Sequence, residues 1–269
     1  MLAATVATFL VKGKAEAVAI VVKEVRMRGW RGFLKPIPGA LPLGRWLRRT
    51  VHPHYRAVRR LEQTHPGLML QPEATTGTGR YPEIFAFVAK EMAGIERPRL
   101  LSWGCSTGAE LLALHQAVPH AEITGVDINP RSLAIARRAI RGRARITLVQ
   151  SGDPAELAGR SFDAVLCLAV LRHARLEEER PPACTVILPF ARAERIVESL
   201  AGLVRTGGLL GVWNVHFRIA DMTIAADFPA VLDLEKGVAA NQPLYGPDDR
   251  LLKETCTAAV YRRRDAAAT

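Results

Sequence analysis

Arg99-Leu100-Leu101-Ser102-Trp103-Gly104-Cys105-Ser106-Thr107-Gly108-Ala109-Glu110-Leu111-Leu112 opens as a buried strand and passes through two glycines into a helix. That turn sets backbone N–H groups and the positive end of a helix against a ligand. Thr124-Gly125-Val126-Asp127-Ile128-Asn129-Pro130 then reads as a second strand ending in a carboxylate, 23 residues after Gly104. An acid at the tip of the neighbouring strand is where a bound ribose offers its hydroxyls. The pair predicts a nucleoside-binding α/β core.

Glycine spacing selects among nucleosides. A dinucleotide fold needs G-x-G-x-x-G, so that the chain can approach a pyrophosphate and pack its helix on the strand; here Gly104 and Gly108 are separated by Cys105, Ser106 and Thr107. An NAD-dependent oxidoreductase is disfavoured. The segment resembles the class I S-adenosylmethionine-dependent methyltransferases, and Gly104-Cys-Ser-Thr-Gly-Ala-Glu110 looks particularly like the loop of the chemotaxis-receptor glutamate methyltransferases. The resemblance implies S-adenosylmethionine as cofactor, with the loop Gly104–Gly108 along its methionine part and Asp127, beside Ile128, on its ribose. Many members carry an acid near the positions of Ser102 and Trp103; Glu110, one turn inside the helix, is either its replacement or a surface charge.

Further segments follow in the order this resemblance requires. Arg145–Gln150 reads as a third strand, and Ser151-Gly152-Asp153 resembles the adenine-contacting loop, with Asp153 accepting from the adenine amino group. Ser161–Val170, including Leu168, resembles the fourth strand and the segment beside the transferred methyl. Thr206–Trp213 resembles the fifth, introduced by Gly207-Gly208. Upstream, Thr76 and Arg80 have the Thr-x-x-x-Arg spacing with which the chemotaxis enzymes cover the cofactor, which implies Arg80 on its methionine carboxylate. Taken singly, Asp127 and Asp153 also read as helix caps, each standing just before a proline-led helical start.

The fold expected is a doubly wound, mostly parallel Rossmann-like sheet with an antiparallel last strand, supplied by Thr257–Arg262, and an N-terminal helical extension. Residues 1–70 are assigned to the extension and 71–265 to the methyltransferase domain. A helix is expected over Pro82–Met92, with Ile84, Phe85, Val88 and Met92 on one face, and Ile219–Leu234 carries helical signals. At 269 residues and 49% hydrophobic the chain is far too apolar for disorder. Cys105, Cys167, Cys184 and Cys256 include no C-x-x-C pair, which points to reduced thiols and to neither a zinc site nor a disulfide framework.

Charge is uneven. Residues 1–62 hold thirteen Lys and Arg against three acids, nearly all of the chain's formal +11. Such a segment suits an anionic membrane surface, or an acidic partner or nucleic acid less readily, and equally a solvated face. Met1–Val22 is broken by Lys12-Gly13-Lys14 and resembles neither a signal peptide nor a membrane span, so a cytoplasmic protein, peripheral at the membrane through this segment, is expected. A turn or linker follows at Lys35–Gly44.

Methyl transfer needs alignment and a dry pocket, and a base only when the nucleophile carries a proton. His173 and His216 follow the fourth and fifth strands, at the carboxyl edge where open α/β sheets bind ligands, and are the catalytic candidates. Arg172 and Arg218 beside them suit a carboxylate or phosphate on the acceptor. The expected acceptor is a small molecule or an acidic group bearing a carboxylate or hydroxyl. The competing reading is a non-catalytic nucleoside-binding protein that attaches to membrane or RNA through its basic segment.

Overall fold

The run beginning at Arg99 forms the strand on which the sheet is built. In the computed structural model, residues 53–65, 67–71, 79–234 and 242–265 are described. Thr76 and almost all of residues 1–62 that carry the excess charge lie outside them. The chain divides into two compact units, Met1–Arg56 and Ala57–Thr269, and the second holds everything that follows.

Its elements are α1 (Pro53–Thr64, beginning in the first unit), α2 (Pro82–Met92), β1 (Arg99–Trp103), α3 (Ala109–Ala117), β2 (Glu122–Asp127) and α4 (Pro130–Ala139). Then come β3 (Ile146–Gln150), β4 (Phe162–Leu168), α5 (Ala174–Glu179), α6 (Phe190–Gly202), β5 (Val204–Trp213), β6 (Ala230–Asp233) and β7 (Ala258–Arg262). The strands join in the order β3-β2-β1-β4-β5-β7-β6. β1 to β5 pair in parallel, whereas β7 runs antiparallel to both β5 and β6. This is the Rossmann-like sheet with an antiparallel closing strand.

Burial explains why the central strands read as continuous apolar runs. Every residue of β4 is buried, with Val165 and Cys167 in the layer shared with Phe190, Ala193 and Val197 of α6. Ala164, Leu166 and Leu168 face the layer holding Ile84 and Val88 of α2 and Leu111 and Leu114 of α3. Helices cover both faces, as a parallel sheet requires. On α2 the buried positions are Ile84, Phe85, Val88 and Met92, the face read from the sequence.

Two segments differ from expectation. Gly207-Gly208 does not introduce the fifth strand: β5 starts at Val204, and the register against β4 shifts between Phe162 and Ala164. A Cβ on Gly208 would meet the carbonyls of Arg205 and Asp163 at 2.8 and 2.9 Å, so the pair accommodates an irregularity inside the strand. Ile219–Leu234 is not a helix. It makes short 3₁₀ turns at Ile219–Asp221 and Thr223–Ala226, then enters β6 after Pro229. Ile219, Met222 and Phe228 are buried at a spacing that imitates a helical face, while pairing with β7, over 25 residues later, decides the end of the segment.

Candidate active site

The turn after β1 is held by its neighbour. Both Gly104 N and Cys105 N donate to the Val126 carbonyl at 2.8 Å, and Gly108 N closes the turn on the Cys105 carbonyl at 3.0 Å. Gly104 and Gly108 have φ of +78° and +88°, and Ser106 between them also lies in the left-handed region at 49°. Asp127, at the tip of β2, accepts from Ser106 N on one carboxylate oxygen (2.8 Å) and from Asn129 N on the other (2.7 Å). Burial pushes its carboxyl above the ordinary range, and these two N–H groups oppose that. The two motifs read from the sequence are thus one hydrogen-bonded unit. Burial also raises the Cys105 thiol well above its usual range, leaving it an unreactive core group.

Glu110, in the first turn of α3, reaches back to β1. Its carboxylate accepts from the Ser102 hydroxyl at 2.7 Å. Burial pushes it up to about 7, opposed by that hydrogen bond and by Arg80 nearby. Arg80 donates to the Tyr81 hydroxyl at 2.6 Å and lies over its ring. The same hydroxyl accepts from Asn214 Nδ2 at 2.8 Å, joining the start of α2 to the end of β5, and Gln242 donates to Asn214 Oδ1. Tyr81, Ala169 and Asn214 all have φ near +60°. Left-handed non-glycine residues are uncommon and gather at functional edges. Asn214 was not among the residues singled out in the sequence; an asparagine directly after an apolar strand, tolerant of positive φ, was its signal.

Beyond β2 and β3, Ile128 lies against Gly152, where a Cβ would come within 2.5 Å of its Cδ1. Asp153 accepts from Ala155 N at 2.9 Å and so caps the 3₁₀ turn Pro154–Leu157, as its position before a proline allowed. Leu168 is buried at the end of β4.

The two histidines do not stand open at the sheet edge as a pair. His216 is fully buried, with Nδ1 2.9 Å from the Pro243 carbonyl and Nε2 3.3 Å from the His173 carbonyl. Burial lowers its pKa, while the two carbonyls and Glu177 raise it. The cause is the loop 242–245, which covers the end of β5 and which the local sequence at 216 does not announce. His173 is half-buried and caps α5, its Nδ1 accepting from Arg175 N at 3.2 Å. In its neutral form the ring proton is therefore on Nε2. Arg172 pairs with Glu177, and Arg218 makes a two-pronged pair with Asp221 at 2.7 and 2.9 Å, so internal carboxylates engage both.

The residues around the turn after β1 fit a nucleoside cofactor. The Ser106 hydroxyl in the turn is buried without a hydrogen-bond partner, and Gly104 is a position where any side chain fails. Its Cβ would stand 2.4 Å from Val170 Cγ2. Gly104→Ala is expected to destabilise the protein by roughly 2–4 kcal/mol, combining left-handed strain with overpacking. Thermal unfolding measures this. Adding Val170→Ala should recover the overpacking share alone, and an unchanged melting temperature in Gly104→Ala would refute the account.

Residues 100–189 match the family model of a methyltransferase domain. An uncharacterised protein of Synechococcus sp. is 31% identical over 138 residues, covering 49% of this chain and 29% of that protein. A ubiquinone biosynthesis O-methyltransferase of Alkalilimnicola ehrlichii is 37% identical over 93 residues, covering 32% of this chain and 36% of the relative. The chain thus spans about a third of the length of these two curated relatives. Among solved structures, S-adenosylmethionine-bound CalS10, an amino pentose methyltransferase of Micromonospora echinaspora, is 28% identical with a TM-score of 0.34, covering 48% of each chain. The methyltransferase match thus falls on residues 100–189, which hold the glycine turn, Asp127 and Asp153, and S-adenosylmethionine is the cofactor it supports.

Proposed function

We propose that this chain transfers the methyl group of S-adenosylmethionine to an oxygen atom, a hydroxyl or carboxylate, on a small molecule. The observation that carries the reading is the carboxylate of Asp127, fixed by two backbone N–H groups against the glycine turn before any ligand arrives. Such preorganisation lowers the cost of binding the nucleoside, and with the methyltransferase match over residues 100–189 it supports a working cofactor site. The cofactor, when bound, supplies an electrophilic methyl on a sulfonium. Asp127 accepts from ribose hydroxyls with its remaining lone pairs, and Ile128, Gly152 and Asp153 receive the adenine. Glu110 and Arg80 hold the two charges of the methionine end.

The choice of oxygen rests on the relatives named as O-methyltransferases and on the likeness of Gly104–Glu110 to the chemotaxis-receptor enzymes, whose acceptor is a carboxylate. It also suits the histidines. Neither turns a deprotonated ring nitrogen outward, since His216 faces carbonyls on both sides and His173 carries its proton on Nε2. An acceptor already ionised, a carboxylate or an acidic phenol, needs no base. In this reading His173 donates a hydrogen bond near the acceptor and His216 positions the edge. The basic residues 12–60 are assigned to an anionic membrane surface by their charge alone.

Tritiated methyl transfer, run with the purified chain over panels of phenols, carboxylic acids and amines, tests the proposal. Label is expected in the oxygen acceptors. Label confined to amines would overturn the acceptor class, and cofactor binding without transfer to any acceptor would return the protein to the non-catalytic reading.

A further inference from the structure

We propose that the outward face of α4, with the turn that follows it, docks on an anionic lipid surface. Between Asp127 and Asp153 the chain contains six arginines, at 131, 137, 138, 141, 143 and 145, and no acid. All six are exposed. The inward side of α4 is Ser132, Leu133 and Ala136; at 3.6 residues per turn this sets Arg131, Ile135 and Arg138 together on the opposite side. Ile135 is 43% exposed there, a large apolar side chain flanked by two guanidinium groups.

The charge of this surface is not neutralised from within. Among the described residues Arg172, Arg175, Arg205, Arg218, Arg250 and Arg262 form ion pairs, and none of the six does. Arg143 and Arg145 reach only main-chain carbonyls, of Ala139 and His120, at 3.2 and 2.9 Å. Glu122, exposed at the start of β2, is next to Arg145 in the strand register, yet the two are not paired. Unpaired arginines around an exposed isoleucine match a bilayer interface, where phosphates meet the guanidinium groups and the aliphatic chain enters the headgroup layer. A nucleic-acid surface is a poorer fit, because residues 128–152 include no aromatic side chain for base stacking. Docking by α4 would hold the cofactor cleft close to the membrane, since the helix starts three residues after Asp127.

Co-sedimentation of the full chain with vesicles of phosphatidylglycerol and phosphatidylcholine, against vesicles of phosphatidylcholine alone, tests this. Binding to the anionic vesicles is expected. The variant Arg137→Gln, Arg138→Gln, Arg141→Gln should lose about a hundredfold in partitioning, on the scale of about 1 kcal/mol for each basic side chain near such a surface. Its binding of S-adenosylhomocysteine should be unchanged, which separates lost docking from lost folding. A second variant, Arg143→Gln with Arg145→Gln, should lose about thirtyfold on the same scale and serves if the first is unstable. Vesicle binding retained by both variants would overturn the proposal and leave the attraction to residues 12–60. Tighter binding to a single-stranded RNA oligonucleotide than to vesicles of equal phosphate content would overturn it in favour of nucleic acid.

Discussion

Asp127→Ala will weaken the binding of S-adenosylhomocysteine by about 1–3 kcal/mol, roughly fivefold to 150-fold, the scale of losing charged hydrogen bonds. Two losses combine. The ribose hydroxyls lose their acceptor, and the N–H groups of Ser106 and Asn129 lose theirs, so the turn is no longer set before the ligand arrives. Asp127→Asn separates the charge from the shape. One amide oxygen can accept from a single backbone N–H, but the amide nitrogen then opposes the other donor, so this near-isosteric change should also weaken binding. Calorimetry on variants shown by circular dichroism to be folded is the measurement. Unchanged affinity in Asp127→Ala would remove the ribose assignment.

The second large effect is a pH dependence set by Glu110. Burial holds its carboxyl at about 7 in the free protein. A bound cation at the methionine end favours the ionised form, so the complex has the lower pKa, and binding below that free value must first release a proton. Affinity for S-adenosylhomocysteine is therefore full above the free pKa and declines as pH falls through it, by about tenfold between about pH 8 and about pH 6. Calorimetry in two buffers of different ionisation enthalpy would show the released proton directly. Glu110→Gln should bind more weakly at the upper pH and lose the slope. A flat profile in the unmodified protein would separate Glu110 from the cofactor.

The mostly parallel sheet and the union of the glycine turn with the end of β2 were legible because both are written locally. A β-strand that runs into Gly104 must turn there, and an acid ending the next parallel strand must face that turn, so the contact between Ser106 and Asp127 follows from two short motifs. Glu110 could be named but not placed, since its contact with Ser102 depends on how α3 seats on the sheet. The edge beyond β4 and β5 was less legible. His216 is enclosed by carbonyls 27 and 43 residues away, and an isolated histidine after a strand gives no sign of them. The bend at Asn214 and the pairing that makes β6 a strand are long-range in the same way. Charge misled through averaging: the chain beyond residue 62 is almost neutral in total, yet six arginines gather on and after α4.

His216 ties together one edge of the sheet. Its imidazole bridges the stretch at 173 and the stretch at 243, while its own main chain bonds Leu171 and Tyr245. The three stretches beyond the ends of β4 and β5 are fastened to one another through a single buried ring, and none can be exchanged without disturbing the other two. A substitution that removes this ring therefore loosens all three stretches together, whereas changes to side chains on their outer faces leave the block intact.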